Sequence, residues 1–420
     1  MVSATTLSIL ICYILVTAFD CLLNSLNLRH LKRHGAEVPS GFEEDIDAET
    51  LRKTSAYTLE QNRFGLIESI SDSGLLLIFL FGGLLALYDR WIASISSSFI
   101  IGGGLFFMGL VLAQTVVGIP FSLYATFRIE NRYGFNTMTP RLWFSDLLKS
   151  TAITFVLLTL LTTGALAIVQ ASPEFWWLWV WGFFAVVSVF LMYLSPYLIE
   201  PLFFKFEPVK EEGLEEEIRL LMEKAGLKVS RVMQMDASKR SRHSNAYFTG
   251  IGRVKRIVLY DTLLAQMNHR EILAVLAHEV GHWKKGHIWK RLVLTEVGAL
   301  LASYLAYRLI SWGGLPGLLG LQQASFAAQL VILGFLGSLA SFPFTPLGSW
   351  LSRRHEWEAD RFAVELAGMP DALASGLIKL TRENLANLHP HPLYARFYYS
   401  HPPIVERVRK LREKGAELDR

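Results

Sequence analysis

Seven stretches of this chain are long and apolar enough to cross a bilayer, and they constrain its fold more than anything else in it. A helical crossing takes roughly 20 apolar residues. Such runs occupy about 4–26, 64–88, 95–120, 150–171, 175–203, 291–313 and 325–349 of the 420 residues. Composition agrees. Charged residues make up 19% of the chain, against about 25% in a soluble domain, and the mean hydropathy is +0.33. The net charge of +4 is small for this length and gives no reason to expect a nucleic-acid partner. The two cysteines, Cys12 and Cys21, both lie in the first stretch. About 900° of helix sets them on opposite sides, so they read as apolar filler, and no CxxC motif occurs. The first stretch lacks a basic flank and a small-residue cleavage site. Thr5 to Leu26 therefore reads as a retained span rather than a cleaved signal peptide.

The loops alternate in basic content. Residues 27–63 carry Arg29, Lys32, Arg33, Arg52, Lys53 and Arg63, and residues 121–149 carry Arg128, Arg132, Arg141 and Lys149. The segments 89–94, 172–174 and 314–324 contain Arg90 alone. The positive-inside rule makes the basic loops cytoplasmic, with the N-terminus outside and the C-terminus inside, as an odd number of spans requires. Asp20, Glu68, Asp72, Glu296 and Arg308 fall inside the expected spans. Such groups face a bundle interior or a watery cavity, unless they sit at the interface.

Four regions follow. Residues 1–204 hold five spans with their cytosolic loops, 205–290 form a cytosolic insert, 291–350 hold the last two spans, and 351–420 form a tail. The insert reads as a small α/β unit. A helical period runs from Gly213 to Leu227, strands cover Arg231 to Met235 and Val254 to Tyr260, Asp261 looks like an N-cap, and a helix covers about 270 to 286. The tail is expected to be helical around 352–368, 371–386 and 403–415, with proline-rich breaks at 389–392 and 402–403.

His278-Glu279-Val-Gly-His282 is an H-E-x-x-H sequence within the helix of the insert. Four residues turn a helix by about 400°, so both imidazoles leave one face and can share one zinc ion. Glu279 stands beside them, where it can take a proton from the attacking water. A catalytic zinc usually has three protein ligands and one open position, so a third ligand is needed. The position ten residues after His278 is Ile288, not a histidine. His287 lies five residues beyond His282, about 140° off the face, and reads as a bystander. Glu296 is a weak candidate. Glu356, in Arg353-Arg-His-Glu-Trp-Glu-Ala-Asp360, is a better one, because Asp360 lies one turn further along the same face and could orient a ligating histidine. Spacing alone leaves open whether Glu356 is a ligand or belongs, like Glu358, to an ordinary charged helix face.

These residues, in this order, resemble the type I CAAX prenyl proteases, integral-membrane zinc metallopeptidases. The resemblance runs along nearly the whole chain. It includes Ile129-Glu-Asn-Arg-Tyr-Gly-Phe-Asn136, Pro201-Leu-Phe-Phe-Lys-Phe206, Ser244-Asn-Ala-Tyr-Phe248, and Ser400-His-Pro-Pro403 with Glu406-Arg407. It implies that His278, His282 and Glu356 hold one Zn2+ per chain and that Glu279 is the general base. It also implies that Asn245 and His401 contact the substrate and the developing oxyanion, and that Asp360 pairs with Arg407 behind the metal. The implied fold is a membrane bundle of seven transmembrane helices enclosing a water-filled chamber, with a cytosolic α/β zincin-like peptidase domain, and the chamber would account for Glu68 and Asp72.

The expected function is therefore a membrane-embedded zinc metalloendopeptidase, acting as a monomer within the lipid bilayer. It would remove C-terminal residues from prenylated or similar peptides, with its active site on the cytoplasmic side. The chain is compact, and the tail Glu417-Leu-Asp-Arg420 carries no retrieval signal. Both point to a prokaryotic homologue in the plasma (inner) membrane, whose natural substrate need not be prenylated. An HtpX-like quality-control protease is the alternative, although that class resembles a shorter chain with fewer spans. A transporter using the intramembrane acids would need a closed structural zinc site of four protein ligands, and only three are evident.

Overall fold

The computed structural model describes residues 3–249 and 254–418. Asp419 and Arg420, at the end of the tail read for a retrieval signal, lie outside the described residues. Among the described residues, seven helices are long and apolar enough to cross a membrane. They are Ala4–His34, Ala48–Phe81, Phe99–Tyr133, Pro140–Ala171, Trp176–Leu202, His287–Trp312 and Phe326–Ala367. Each overlaps one of the stretches read from the sequence. Large apolar side chains on them, among them Leu15, Val186 and Leu301, are exposed. Lipid tails solvate such side chains as well as a protein core would.

Several helices extend beyond the apolar stretches, and two boundaries differ for clear local reasons. The second stretch was expected to reach residue 88, but Gly82 and Gly83, the latter at φ 83°, end the helix at Phe81. Leu84–Ile95 then folds as a separate short helix with Leu85 and Ile92 buried. The seventh span passes through the turn Phe342–Phe344 and continues as the helix Thr345–Ala367. The tail helix expected at 352–368 is thus the far end of the seventh span, and position 350 lies inside it. One further helix, Pro392–Tyr398, follows directly on the proline-rich break expected at 389–392. Pro392 occupies its first turn, where a missing N–H costs nothing.

The basic segments meet at one end of the bundle. Arg240 of the insert binds Asp146 at 2.7 Å, Arg412 of the tail binds Asp45 at 2.7 Å, and His391 N donates to Asn27 Oδ1 at 2.9 Å. At the other end, Ser325 N donates to Asp89 Oδ2 at 2.8 Å and Trp176 packs edge-on against Phe326.

At the basic end sits a four-stranded sheet of order β1-β2-β4-β3. Its strands are β1 (Phe206–Pro208), β2 (Lys228–Met235), β3 (Ala246–Thr249) and β4 (Val254–Tyr260). β2 and β4 run parallel, while β3 is an outer strand, antiparallel to β4. Leu214, Ile218 and Met222, from the helix Leu214–Lys224, pack with Ile257 and Leu259 of β4 and with Ile272 and Leu276 of the helix His269–Lys284. This core fixes the H-E-x-x-H helix beside the outer strand β3.

Candidate metal centre

The motif helix His269–Lys284 starts on a capping box. Asn268 Oδ1 accepts from Glu271 N at 3.0 Å, and Glu271 Oε2 accepts from Asn268 N at 2.9 Å. Asp261, read from the sequence as an N-cap, is instead the first residue of the short helix Asp261–Gln266. Glu271 also accepts from Ser375 at 2.6 Å and Lys379 at 2.7 Å. Burial would raise its carboxyl pKa, but these donors hold it below the ordinary value. The helix packs against Thr345–Ala367, with Gly281 facing Ala359. A Cβ on Gly281 would stand 2.9 Å from Ala359 Cα, so the glycine permits the close approach that brings the two helices' side chains to one point.

At that point His278, His282 and Glu356 each present one donor atom, all within 4.8 Å of one another. The two Nε2 atoms are 3.2 Å apart, His278 Nε2 is 3.4 Å from Glu356 Oε2, and His282 Nε2 is 3.2 Å from Glu356 Oε1. Asp360 Oδ1 lies 2.8 Å from His278 Nδ1. A carboxylate only accepts, so Nδ1 carries a proton, and Nε2 is the nitrogen that faces the centre. Arg407 grips Asp360 through two hydrogen bonds, at 2.9 and 2.6 Å, and its Nη1 stands 3.4 Å from Glu356 Oε2. Arg407, Asp360 and Glu356 are all buried.

The residues fit a bound cation. Glu356 Oε2 is buried without a hydrogen-bond partner, and a buried carboxylate oxygen is costly to leave so. Two imidazole nitrogens pointing at each other beside it likewise call for a positive charge between them. In the metal-free chain a proton serves. Burial disfavours charge on His278, yet the neighbouring carboxylates of Asp360 and Glu356 push its pKa up to about 9.

A cavity of about 260 Å³ opens on this cluster, lined by Asn245, Glu279 and His401 as well as the three donor residues. Asn245 precedes outer strand β3. Its Oδ1 accepts from Ala246 N at 2.8 Å, which leaves its amide N–H groups free to donate. His401 Nε2 lies 3.5 Å from Glu356 Oε1, and the ring is largely exposed to the cavity. Burial and the neighbouring Arg407, His278 and His282 lower its pKa, in opposition to Glu356.

The structure thus brings together His278, Glu279, His282, Glu356, Asp360, Asn245, His401 and Arg407, and it refines two further readings. His287 stands outside the donor set, as read, but it touches the site: it is buried, and its Nδ1 lies 3.0 Å from His282 Nδ1. The 140° offset assumed one continuous helix, whereas Gly286, at φ 68°, ends the motif helix and turns His287 back beneath His282. The glycine after Lys284-Lys285 was the available signal. Glu296 is remote from the cluster and bonds to Ser188 Oγ at 3.3 Å.

An H-E-x-x-H helix whose histidines meet a glutamate able to hold a metal, set at the end of a seven-span bundle, is the arrangement of a membrane-embedded metallopeptidase. Comparison with known proteins says which. Residues 27–205 match the family described as CAAX prenyl protease N-terminal, five membrane helices, and residues 208–414 match peptidase family M48. The CAAX prenyl protease 1 homolog of Arabidopsis thaliana is 33% identical over 89% of this chain and 90% of its own length. CAAX prenyl protease 1 of Saccharomyces cerevisiae is 32% identical, over 91% and 90%. The crystal structure of S. mikatae Ste24p superposes with a TM-score of 0.89 at 29% identity, covering 97% of this chain and 99% of that one. The chain belongs to peptidase family M48, in its CAAX prenyl protease branch, and is a zinc metallopeptidase of the membrane. Relatives that cover about nine-tenths of the chain carry the CAAX name, so the quality-control alternative is not favoured.

Proposed function

We propose that this chain is an endopeptidase that cleaves near the C-terminus of CAAX-type peptides, prenylated or similar, at the cytoplasmic face of its membrane. His278, His282 and Glu356 hold one zinc ion per chain. The observation that carries this is the convergence of their donor atoms around a buried carboxylate oxygen that has no hydrogen-bond partner. Bound zinc supplies Lewis acidity to the scissile carbonyl and to a water, whose pKa it lowers toward ~7. Glu279, on the next residue of the same helix turn, accepts the water's proton and returns it to the leaving amine. Asn245 and His401 donate hydrogen bonds to the carbonyl oxygen as negative charge develops on it. The substrate backbone lies along β3, whose outer edge can accept an added strand. Asp360 and Arg407 hold His278 in its ligating tautomer.

The substrate class rests on the names of the relatives. The cytoplasmic side rests on the meeting of the basic loops around the peptidase end. Monomeric action rests on one chain's supplying all the residues of the site. The enclosed chamber rests on the family resemblance. The test is cleavage of matched farnesylated and unprenylated C-terminal peptides, with and without a zinc chelator, by wild type and Glu279→Ala. The variant is expected to keep zinc and to lose roughly 10²- to 10⁴-fold in turnover. Zinc retention with near wild-type turnover would overturn the assignment.

A further inference from the structure

His278 is oriented by a carboxylate directly, whereas His282 reaches one only through another imidazole. His282 Nδ1 is 3.0 Å from His287 Nδ1, and His287 Nε2 is 3.1 Å from Glu358 Oε2. Glu358 is itself held by Arg354 Nε at 3.2 Å. His287 is only 4% exposed, and its ring stacks on His355 with centroids 4.0 Å apart and planes 9° from parallel. It therefore cannot swing away from its two partners without unstacking.

The carboxylate end fixes every proton in this chain. Glu358 can only accept, so His287 Nε2 carries a hydrogen. Neutral His287 then offers a lone pair at Nδ1. His282 Nδ1 must donate to it, which leaves His282 Nε2 bare and aimed at Glu356. We infer that His287 and Glu358 form a positioning relay that locks His282 in its metal-binding tautomer and rotamer. The inference rests on the ligand assignment proposed above. His282 needs such a lock more than His278 does, being 21% exposed against 9%. At the cavity rim, water competes for its Nδ1, and the alternative tautomer, protonated at Nε2, cannot bind a metal. One helix supplies all the acids: Glu356 toward the centre, Asp360 behind His278, and Glu358, about 200° round from Glu356, behind His287.

The test uses the full-length protein in detergent, depleted of metal and titrated with zinc against a chromogenic chelator. His287→Ala and Glu358→Ala are expected to weaken zinc binding by roughly 10- to 100-fold. His287→Gln, which restores an acceptor to His282, should lie closer to wild type than His287→Ala. The visible bands of the cobalt-substituted protein should shift in both alanine variants, a change that a merely structural role would not produce. Glu358 is partly exposed, so its variant decides the matter if His287→Ala fails to fold. Zinc affinity within about twofold of wild type in the folded alanine variants would overturn the relay. His282→Ala is the control. If it too keeps wild-type zinc affinity, the ligand assignment fails; if it alone loses zinc, only the relay does.

Discussion

Asp360 stands where two requirements meet, since it accepts the proton of His278 and neutralises Arg407 in a buried setting. Replacing it with Asn keeps the shape and removes the charge. The Asn amide can then turn its oxygen to Arg407 or to His278, but it cannot serve both as a carboxylate does. Asp360→Asn is therefore expected to weaken zinc binding roughly 10- to 100-fold. It should also destabilise the protein by up to about 3–5 kcal/mol, because buried Arg407 loses its bidentate partner and keeps only the 3.4 Å contact with Glu356. Chelator competition and thermal unfolding of the metal-free chain measure the two effects separately. A stability loss without a change in zinc affinity would mean that Asp360 serves the fold alone. At this scale the sequence was legible where the geometry is local. The four-residue spacing of His278 and His282 sets their faces, and nothing else is needed. Glu356 stayed open on spacing, because what makes it a donor to the same point is a helix packed from far along the chain.

That packing is a matter of elements, and Gly281 controls it. The nearest atoms to a Cβ at this position are backbone, Ala359 Cα at 2.9 Å and Ala359 O at 3.0 Å, which cannot rotate aside. In an exposed helix, Gly→Ala gains about 1 kcal/mol. Here the same change forces the motif helix away from Thr345–Ala367, and Glu356, less than one turn from Ala359, moves with its helix. Gly281→Ala is expected to lower turnover roughly 10- to 100-fold, the order of loss that follows from misplacing a catalytic group by a fraction of an ångström to an ångström. A lowered melting temperature should accompany it, and unchanged kinetics would show that the approach of the helices is not limiting. The spans themselves were legible because apolar length is written locally. Their ends were less so. Gly82-Gly83 cut the second span short, and the seventh ran on into charged sequence because its far end is buried in the peptidase core rather than in lipid. β1, three residues long, left no readable period at all.

For the whole molecule, the question is what holds a peptidase domain in register with a bundle to which it is joined at only a few points. Much of the answer is one polar hub. Glu130, on a π-turn at the end of the third span, accepts from Tyr57 at 2.7 Å and from Gln61 at 2.9 Å on the second span. It also meets His243 Nε2 at 3.2 Å, while His243 Nδ1 lies 3.0 Å from Asn384 Oδ1 in the tail. Asn384 Oδ1 accepts from Ser244 N at 3.2 Å, so it is an oxygen, and both His243 nitrogens therefore face acceptors. The ring can satisfy both only as the imidazolium. Burial opposes that charge, but Glu130 and Asn384 raise the pKa above the ordinary value. Phe135 stacks on the same ring at 4.0 Å.

The sign of the linkage follows. A raised folded pKa gives stability that is fully present below the unfolded value of ~6.5 and fades as pH rises through the folded one. His243→Ala is accordingly expected to lower the melting temperature most at pH 6, with the gap to wild type narrowing as pH rises above ~6.5. Comparing variant with wild type at each pH cancels the titration of the metal-site histidines, which both proteins share. Because His243 lies two residues before Asn245, the variant should also raise KM for peptide while zinc stoichiometry stays the same. A gap equally wide at pH 6 and pH 9 would show that His243 holds the two halves together by packing on Phe135 rather than by charge.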